Sequence, residues 1–107
     1  MLPKTQRLDR AAIASFPKKN IAIYSDFASL RAVSAQKFRL AVVVSSRHEK
    51  KAVVRNRVRR RVYSIFGAMH KERPIPFQIL FYVSKKGYSA SYGETKTAVL
   101  DLIKKLR

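Results

Sequence analysis

From Lys51 to about His70 the chain places an apolar residue at every helical turn: Val54, Val58, Val62, Ile65, Phe66 and Met69. At 100° per residue these side chains fall on one stripe, which predicts a long helix with one buried side, ended by Pro74 and Pro76. Five arginines, Arg55, Arg57, Arg59, Arg60 and Arg61, crowd the first half of the same helix. Arg55, Arg59 and Tyr63 share one flank of the stripe, Arg57 and Arg61 the other, and Asn56 and Arg60 point outward. Any fold for this chain must therefore anchor the helix by its valines and leave a collar of guanidinium groups around the contact.

The remaining elements arrange themselves about that helix. Residues 1–8 read as a basic, Pro-containing extended arm. Asp9 is placed to N-cap a short helix through Phe16, with Ile13 and Phe16 on its apolar side and Pro17 just past its end. Phe27 to Val33 predicts a first strand, with Ile21 to Tyr24 as a further strand or part of the same one. Phe38 to Ser45 alternates, with Phe38, Leu40, Val42 and Val44 on one face. The loop Ser-Ser-Arg-His-Glu-Lys leads into the long helix. Phe77 to Val83 is a buried strand, with Phe77, Ile79, Phe81 and Val83 on one face and Gln78, Leu80 and Tyr82 on the other. A basic turn around Gly87 follows. Ser91 and Glu94 form a capping-box pattern for a last helix buried through Ala98, Val99, Leu102, Ile103 and Leu106. The order αββ(β)αβα predicts a single α+β domain over 1–107, a compact αβ sandwich of about four strands packed with three helices.

Charge narrows the function. The chain carries 24 Lys and Arg against 6 Asp and Glu, a net charge of +18. Self-repulsion on that scale calls for a polyanionic partner, and nucleic acid supplies one through counterion release. No stretch approaches the ~20 apolar residues of a spanning helix, and the N-terminus lacks the apolar core of a signal peptide. A cytoplasmic protein without a membrane partner is the expectation. With no cysteine, disulfides and zinc–thiolate sites are excluded.

Eight Lys or Arg residues lie between Arg47 and Arg61, including Lys50 and Lys51. Arginine dominates the helix, and its planar fork suits phosphate while its flat face stacks on bases. Asn56 adds an amide that both donates and accepts, a set fitted to RNA phosphates, 2′-hydroxyls and exposed bases. Aromatic residues on an open sheet face would stack unpaired bases. Tyr24, Phe27 and Tyr82 are open between that role and the core. A protein active site has little support: His48 and His70 are isolated, and Asp9, Asp26, Glu49, Glu72, Glu94 and Asp101 form no close pair. No protein metal site and no catalytic residue are expected.

The stretch Ala52-Val-Val-Arg-Asn-Arg-Val-Arg-Arg60 resembles the Arg-Asn-Arg signature of bacterial ribonuclease P proteins, set on a long helix after a Val-rich strand and a basic loop. Leu2-Pro3-Lys4 with Arg7-Leu8 resembles the family's N-terminal start, and the order of elements continues to the end of the chain. The resemblance implies a ribozyme subunit that binds the catalytic RNA and the 5′ leader of precursor tRNA. Hydrolysis then belongs to the RNA subunit and its Mg2+, with no obligate protein partner. Arg55, Asn56 and Arg57 match the signature, and Arg59 and Arg60 the basic pair after it. Arg47, Lys50, Lys51 and Arg61 complete the expected RNA contacts. Phe16, Phe27, Tyr63 and Arg59 are the implied lining of the leader cleft. The resemblance also implies a left-handed βαβ crossover, against the general right-handed preference. The chain departs from the family pattern in a glycine-free loop that carries Glu49, in Tyr63 where a basic residue is usual, and in a first helix short of one aromatic. Two other readings explain the charge: a structural ribosomal RNA-binding protein, and a duplex DNA binder with a groove-reading helix.

Overall fold

The computed structural model describes residues 3–107. It contains α1 (Arg10–Ala14), β1 (Ile21–Tyr24), β2 (Ala28–Ser34), β3 (Arg39–Val43), α2 (Ala52–Glu72), β4 (Phe77–Val83) and α3 (Tyr92–Leu106). Single turns of 3-10 helix occupy Lys4–Gln6 and Lys85–Tyr88. The strands form one mixed sheet in the order β1-β2-β4-β3. β1–β2 and β2–β4 are antiparallel, and β3–β4 is parallel. Because β3 and β4 are parallel neighbours, the connection between them must return along the sheet, and α2 is that connection. β3, α2 and β4 thus form a βαβ unit.

Strand alternation separates the two faces of the sheet. Leu30, Ala32, Leu40, Val42, Ile79, Phe81 and Val83 are buried beneath α2 and α3. The stripe of α2 meets them through Val58, Val62, Ile65 and Phe66, with Val54 and Met69 partly buried at its ends. The α3 stripe adds Val99, Leu102 and Ile103. Phe66 lies edge-on to Phe81 at 5.6 Å between ring centres, so the aromatic geometry as well as the area fixes α2 on β4. The last helix starts as its sequence dictates: Ser91 Oγ accepts from Glu94 N–H at 3.1 Å, and Glu94 Oε1 accepts from Ser91 N–H at 3.0 Å.

The other face is mostly bare. α1 is capped by Asp9, whose Oδ1 accepts from Ala12 N–H at 2.7 Å. It lies over Leu8, Ala41 and Leu80 with Ala12, Ile13 and Phe16. One five-residue helix cannot cover four strands, so the rest of this face stays open.

Three sequence expectations need correction. Ile21–Tyr24 and Phe27–Val33 are not one strand: they form a hairpin in which Phe27 belongs to the turn, closed by Ser25 N–H donating to Ala28 O at 2.8 Å. The N-terminal arm is not extended throughout. Lys4–Gln6 is helical, Arg7 bridges to Leu40, and Leu8 is buried; Met1 and Leu2 lie outside the described residues. Tyr63 is not a flank residue open to a ligand. It is 8% exposed, and its hydroxyl accepts from Val42 N–H on the free side of edge strand β3. Leu8 N–H donates to Leu40 O on the same edge at 3.0 Å. The edge is covered by side chain and arm, so it offers no template for another strand.

Candidate nucleic-acid interface

The first half of α2 presents its arginines as the wheel predicts, but they are not equivalent. Arg57 and Arg60 are exposed, as is Asn56, next to Arg57 and one turn before Arg60. Arg59 is partly buried and donates from Nη2 to Asn56 Oδ1, one turn back on the same helix. That pairing holds the Arg59 fork beside the amide, so the two act as one hydrogen-bonding surface. Arg61, on the opposite flank, reaches Ala90 O at 3.4 Å and joins α2 to the entry of α3. Arg55 turns back on the preceding loop and donates from Nη1 to Glu49 O at 2.8 Å and Lys50 O at 2.9 Å.

That loop, Ser45 to Lys51, is basic and ordered by its own hydrogen bonds. Tyr88 is buried, and its hydroxyl accepts from Ser45 N–H at 2.8 Å. Ser45 O accepts from His48 N–H and Glu49 N–H at 3.3 and 3.1 Å. Glu49 Oε1 accepts from Lys51 N–H at 3.1 Å, at the N-cap of α2, where a carboxylate is favoured by the helix dipole. The acidic residue in the basic loop thus bonds the amide of the residue that precedes α2. Arg47, Lys50 and Lys51 are exposed around it.

A second surface lies on the open face of the sheet. Pairing places Tyr24, Ser29, Tyr82 and Val43 in one row across all four strands, and Ala22, Arg31, Leu80 and Ala41 in the next. α1 covers the Leu80–Ala41 end of the second row, where Phe16 and Tyr82 pack against the same small cluster. What remains is an open groove of about 610 Å³ lined by Tyr24, Ser29, Arg31, Tyr82, His48 and Lys85 among others. Tyr24 is 67% exposed, the largest aromatic surface in reach of a ligand there. Two tyrosines separated by two strand spacings, about 10 Å apart, with a guanidinium beside them, can stack bases and neutralise a phosphate.

Of the residues expected at the cleft, Phe16 is on the same face of the sheet, packed with Leu8, Ala41 and Leu80, and is not part of the groove's lining. Phe27 is not on that face. Its turn faces the helix side, where it lines a crevice with Val58, Val62, Thr95 and Ala98. Tyr63 is removed by its place in the core. Tyr24, Arg31 and Tyr82 line the groove instead, and period-two alternation carried the signal: Arg31 and Tyr82 point away from neighbours that are plainly core. Of the two histidines, His48 joins the groove. His70 stacks on Phe38 at 4.7 Å and accepts Ile75 N–H on Nδ1 at 3.0 Å, which fixes the turn out of α2. Among the described residues no three His, Cys, Asp or Glu side chains come together as metal ligands.

An arginine-collared helix, an ordered basic loop and an aromatic groove on an open sheet define a protein of the RNA-binding class. The chain belongs to the ribonuclease P family, whose sequence model matches residues 2–107. Its fold is that of solved ribonuclease P proteins. The Staphylococcus aureus RNase P protein superposes with a TM-score of 0.83 at 18% identity, covering 95% of each chain. The Thermotoga maritima RNase P protein superposes with a TM-score of 0.79 at 23% identity, covering 94% of this chain and 97% of that one. A Staphylococcus aureus RNase P protein mutant with defective mRNA degradation activity gives 0.84 at 19% identity, over 94% and 87%. No curated protein matches the sequence. Family membership gives the chain a role in ribonuclease P, in tRNA processing, with an RNA partner in that ribonucleoprotein. No helix among the described residues is long and apolar enough to cross a membrane.

Proposed function

We propose that this chain assists removal of the 5′ leader from precursor tRNA by holding two RNAs at once. Arg57, Arg60 and the Asn56–Arg59 pair, with Arg47, Lys50 and Lys51 from the loop and Arg61 on the far flank, dock on the catalytic RNA of ribonuclease P. Tyr24, Arg31, Tyr82 and Phe16 take the single-stranded leader on the open sheet face. Both RNAs are met in the cytoplasm.

The observation that carries this reading is the position of the Ser45 to Lys51 loop. Its first residues, Ser45 and His48, line the groove, and its last runs into the arginine helix. One rigid connection thus ties the two cationic surfaces, so RNA bound on α2 is held in a fixed relation to a strand lying in the groove. Binding both partners converts leader capture into an intramolecular step, which raises substrate affinity without protein chemistry. In this reading the metal is held by the RNA, and the protein contributes charge and position.

The test is cleavage of a 5′-extended precursor tRNA by the cognate ribonuclease P RNA at low magnesium, with and without the protein. Stimulation that disappears when the leader is shortened to a single nucleotide is expected. Tight RNA binding without stimulation would leave a scaffold role instead, and cleavage by the protein alone would overturn the division of labour.

A further inference from the structure

We propose that Arg55, although it opens the Arg-Asn-Arg signature, is a positioning residue that shapes the basic loop rather than an RNA contact. Tyr88 is its partner in that task. The inference rests on the RNA-binding reading above and refines which residues make the contacts.

Arg55 and Tyr88 hold the loop from its two ends. Arg55 is partly buried, and one of its terminal nitrogens donates to two consecutive carbonyls, Glu49 O and Lys50 O, at 2.8 and 2.9 Å. These are charge-assisted bonds to backbone groups that no other residue satisfies in the hydrogen bonding of the loop. At the other end Tyr88 Oη receives Ser45 N–H at 2.8 Å from a side chain that is itself 5% exposed. Glu49, between them, spends its carboxylate on Lys51 N–H. The loop thus has a fixed course in the free protein. Its cations Arg47, Lys50 and Lys51 remain outside these bonds and exposed.

A positioning arginine and a contacting arginine leave different marks on salt dependence. Each phosphate contact contributes about 0.9 to the slope of log affinity against log salt on duplex DNA, and about 0.7 on single strands. A residue that only orders the loop contributes nothing to that slope. Without it the same cations still reach the same phosphates, after the loop has been ordered at the expense of affinity. Arg55→Met, which keeps the stem and removes the donors and the charge, is expected to weaken catalytic-RNA binding roughly five- to twentyfold with the slope unchanged. Tyr88→Phe leaves every charge in place and frees Ser45 N–H. It is expected to weaken binding several-fold, also at constant slope. Both should speed amide exchange across Ser46 to Lys51. Arg57→Met and Arg60→Met should each lower the slope by about one and leave loop exchange as in the parent.

The experiment is a salt titration of catalytic-RNA binding for the parent and these four variants, with amide exchange of the loop measured on each. Arg55→Met with a slope lower by about one and an unchanged loop would make Arg55 a phosphate contact and overturn the proposal. If Arg55→Met fails to fold by circular dichroism, Tyr88→Phe decides: unaltered RNA affinity with a loosened loop would overturn the proposal equally. A parent protein without salt-dependent binding, or no change of slope in Arg57→Met and Arg60→Met, would instead sink the RNA-interface reading itself.

Discussion

Adding a single methyl group at Gly87 tests whether the turn after β4 is what anchors the site. A Cβ built there would lie 2.5 Å from Phe27 O and 2.7 Å from Val83 Cγ1. Unstrained carbon contacts sit near 3.5 Å, so about 1 Å must be found. Val83 is a core residue of β4, and the oxygen is backbone that already accepts Ser84 N–H at 3.0 Å. Neither can swing aside as a long side chain would. Relief requires the β1–β2 turn and the Lys85–Tyr88 turn to part. Overpacking of this kind costs about 1–3 kcal/mol, and loss of the Ser84–Phe27 bond about 1 kcal/mol more. Alanine's smaller unfolded-state entropy returns roughly 0.4–1 kcal/mol. The net destabilisation of Gly87→Ala is about 1–3.5 kcal/mol, which in a domain of this size lowers the melting temperature by roughly 5–25 °C. Because Tyr88 is the next residue, the same shift should loosen the Ser45 amide and raise exchange in the basic loop. Thermal unfolding followed by circular dichroism measures the first effect and amide exchange the second. A melting temperature within about 2 °C of the parent would show that the close approach at Gly87 carries no weight.

Other substitutions separate the surfaces from the core. Tyr82→Ala and Tyr24→Ala should each weaken binding of a single-stranded leader by about 1–3 kcal/mol, read by competition between leader-bearing and leaderless tRNA, while catalytic-RNA affinity stays constant. Equal losses for both tRNAs would refute a groove specific for the leader. Tyr63→Phe leaves Val42 N–H unpaired at the β3 edge and should cost about 1–2 kcal/mol in urea unfolding without altering leader affinity; a selective loss of leader binding would return Tyr63 to the cleft. Ser91→Ala removes the acceptor for Glu94 N–H and should destabilise α3 by about 1 kcal/mol, again by urea unfolding, with RNA binding unchanged in the folded fraction. His70→Ala removes both the ring on Phe38 and the acceptor for Ile75 N–H. A loss of about 2–4 kcal/mol is expected, and one below about 0.5 kcal/mol would dismiss the turn it fixes.

The sequence by itself determined each element that one period or one cap defines. The stripe of α2, the alternation of β4 and the Ser91–Glu94 box depend on neighbours within a turn or a strand, so they are written locally and appear as read. The charge and the arginine cluster likewise identified a polyanion as partner before any fold was known. Tertiary structure decided what depends on residues distant in the chain. Tyr63 reads as a flank residue by helix geometry, and only the arrival of β3 with its unpaired Val42 amide makes it core. Phe27 reads as strand, and only the hairpin closure turns it to the helix side, leaving exposed Tyr24 and half-buried Tyr82 as the aromatics of the open sheet face. Arg55 is one arginine among five until Glu49 and Lys50 bring two carbonyls to its fork. Side-chain type sets what a residue can bond to; which partner lies within 3 Å is fixed by the packing of segments that the chain's local pattern cannot see.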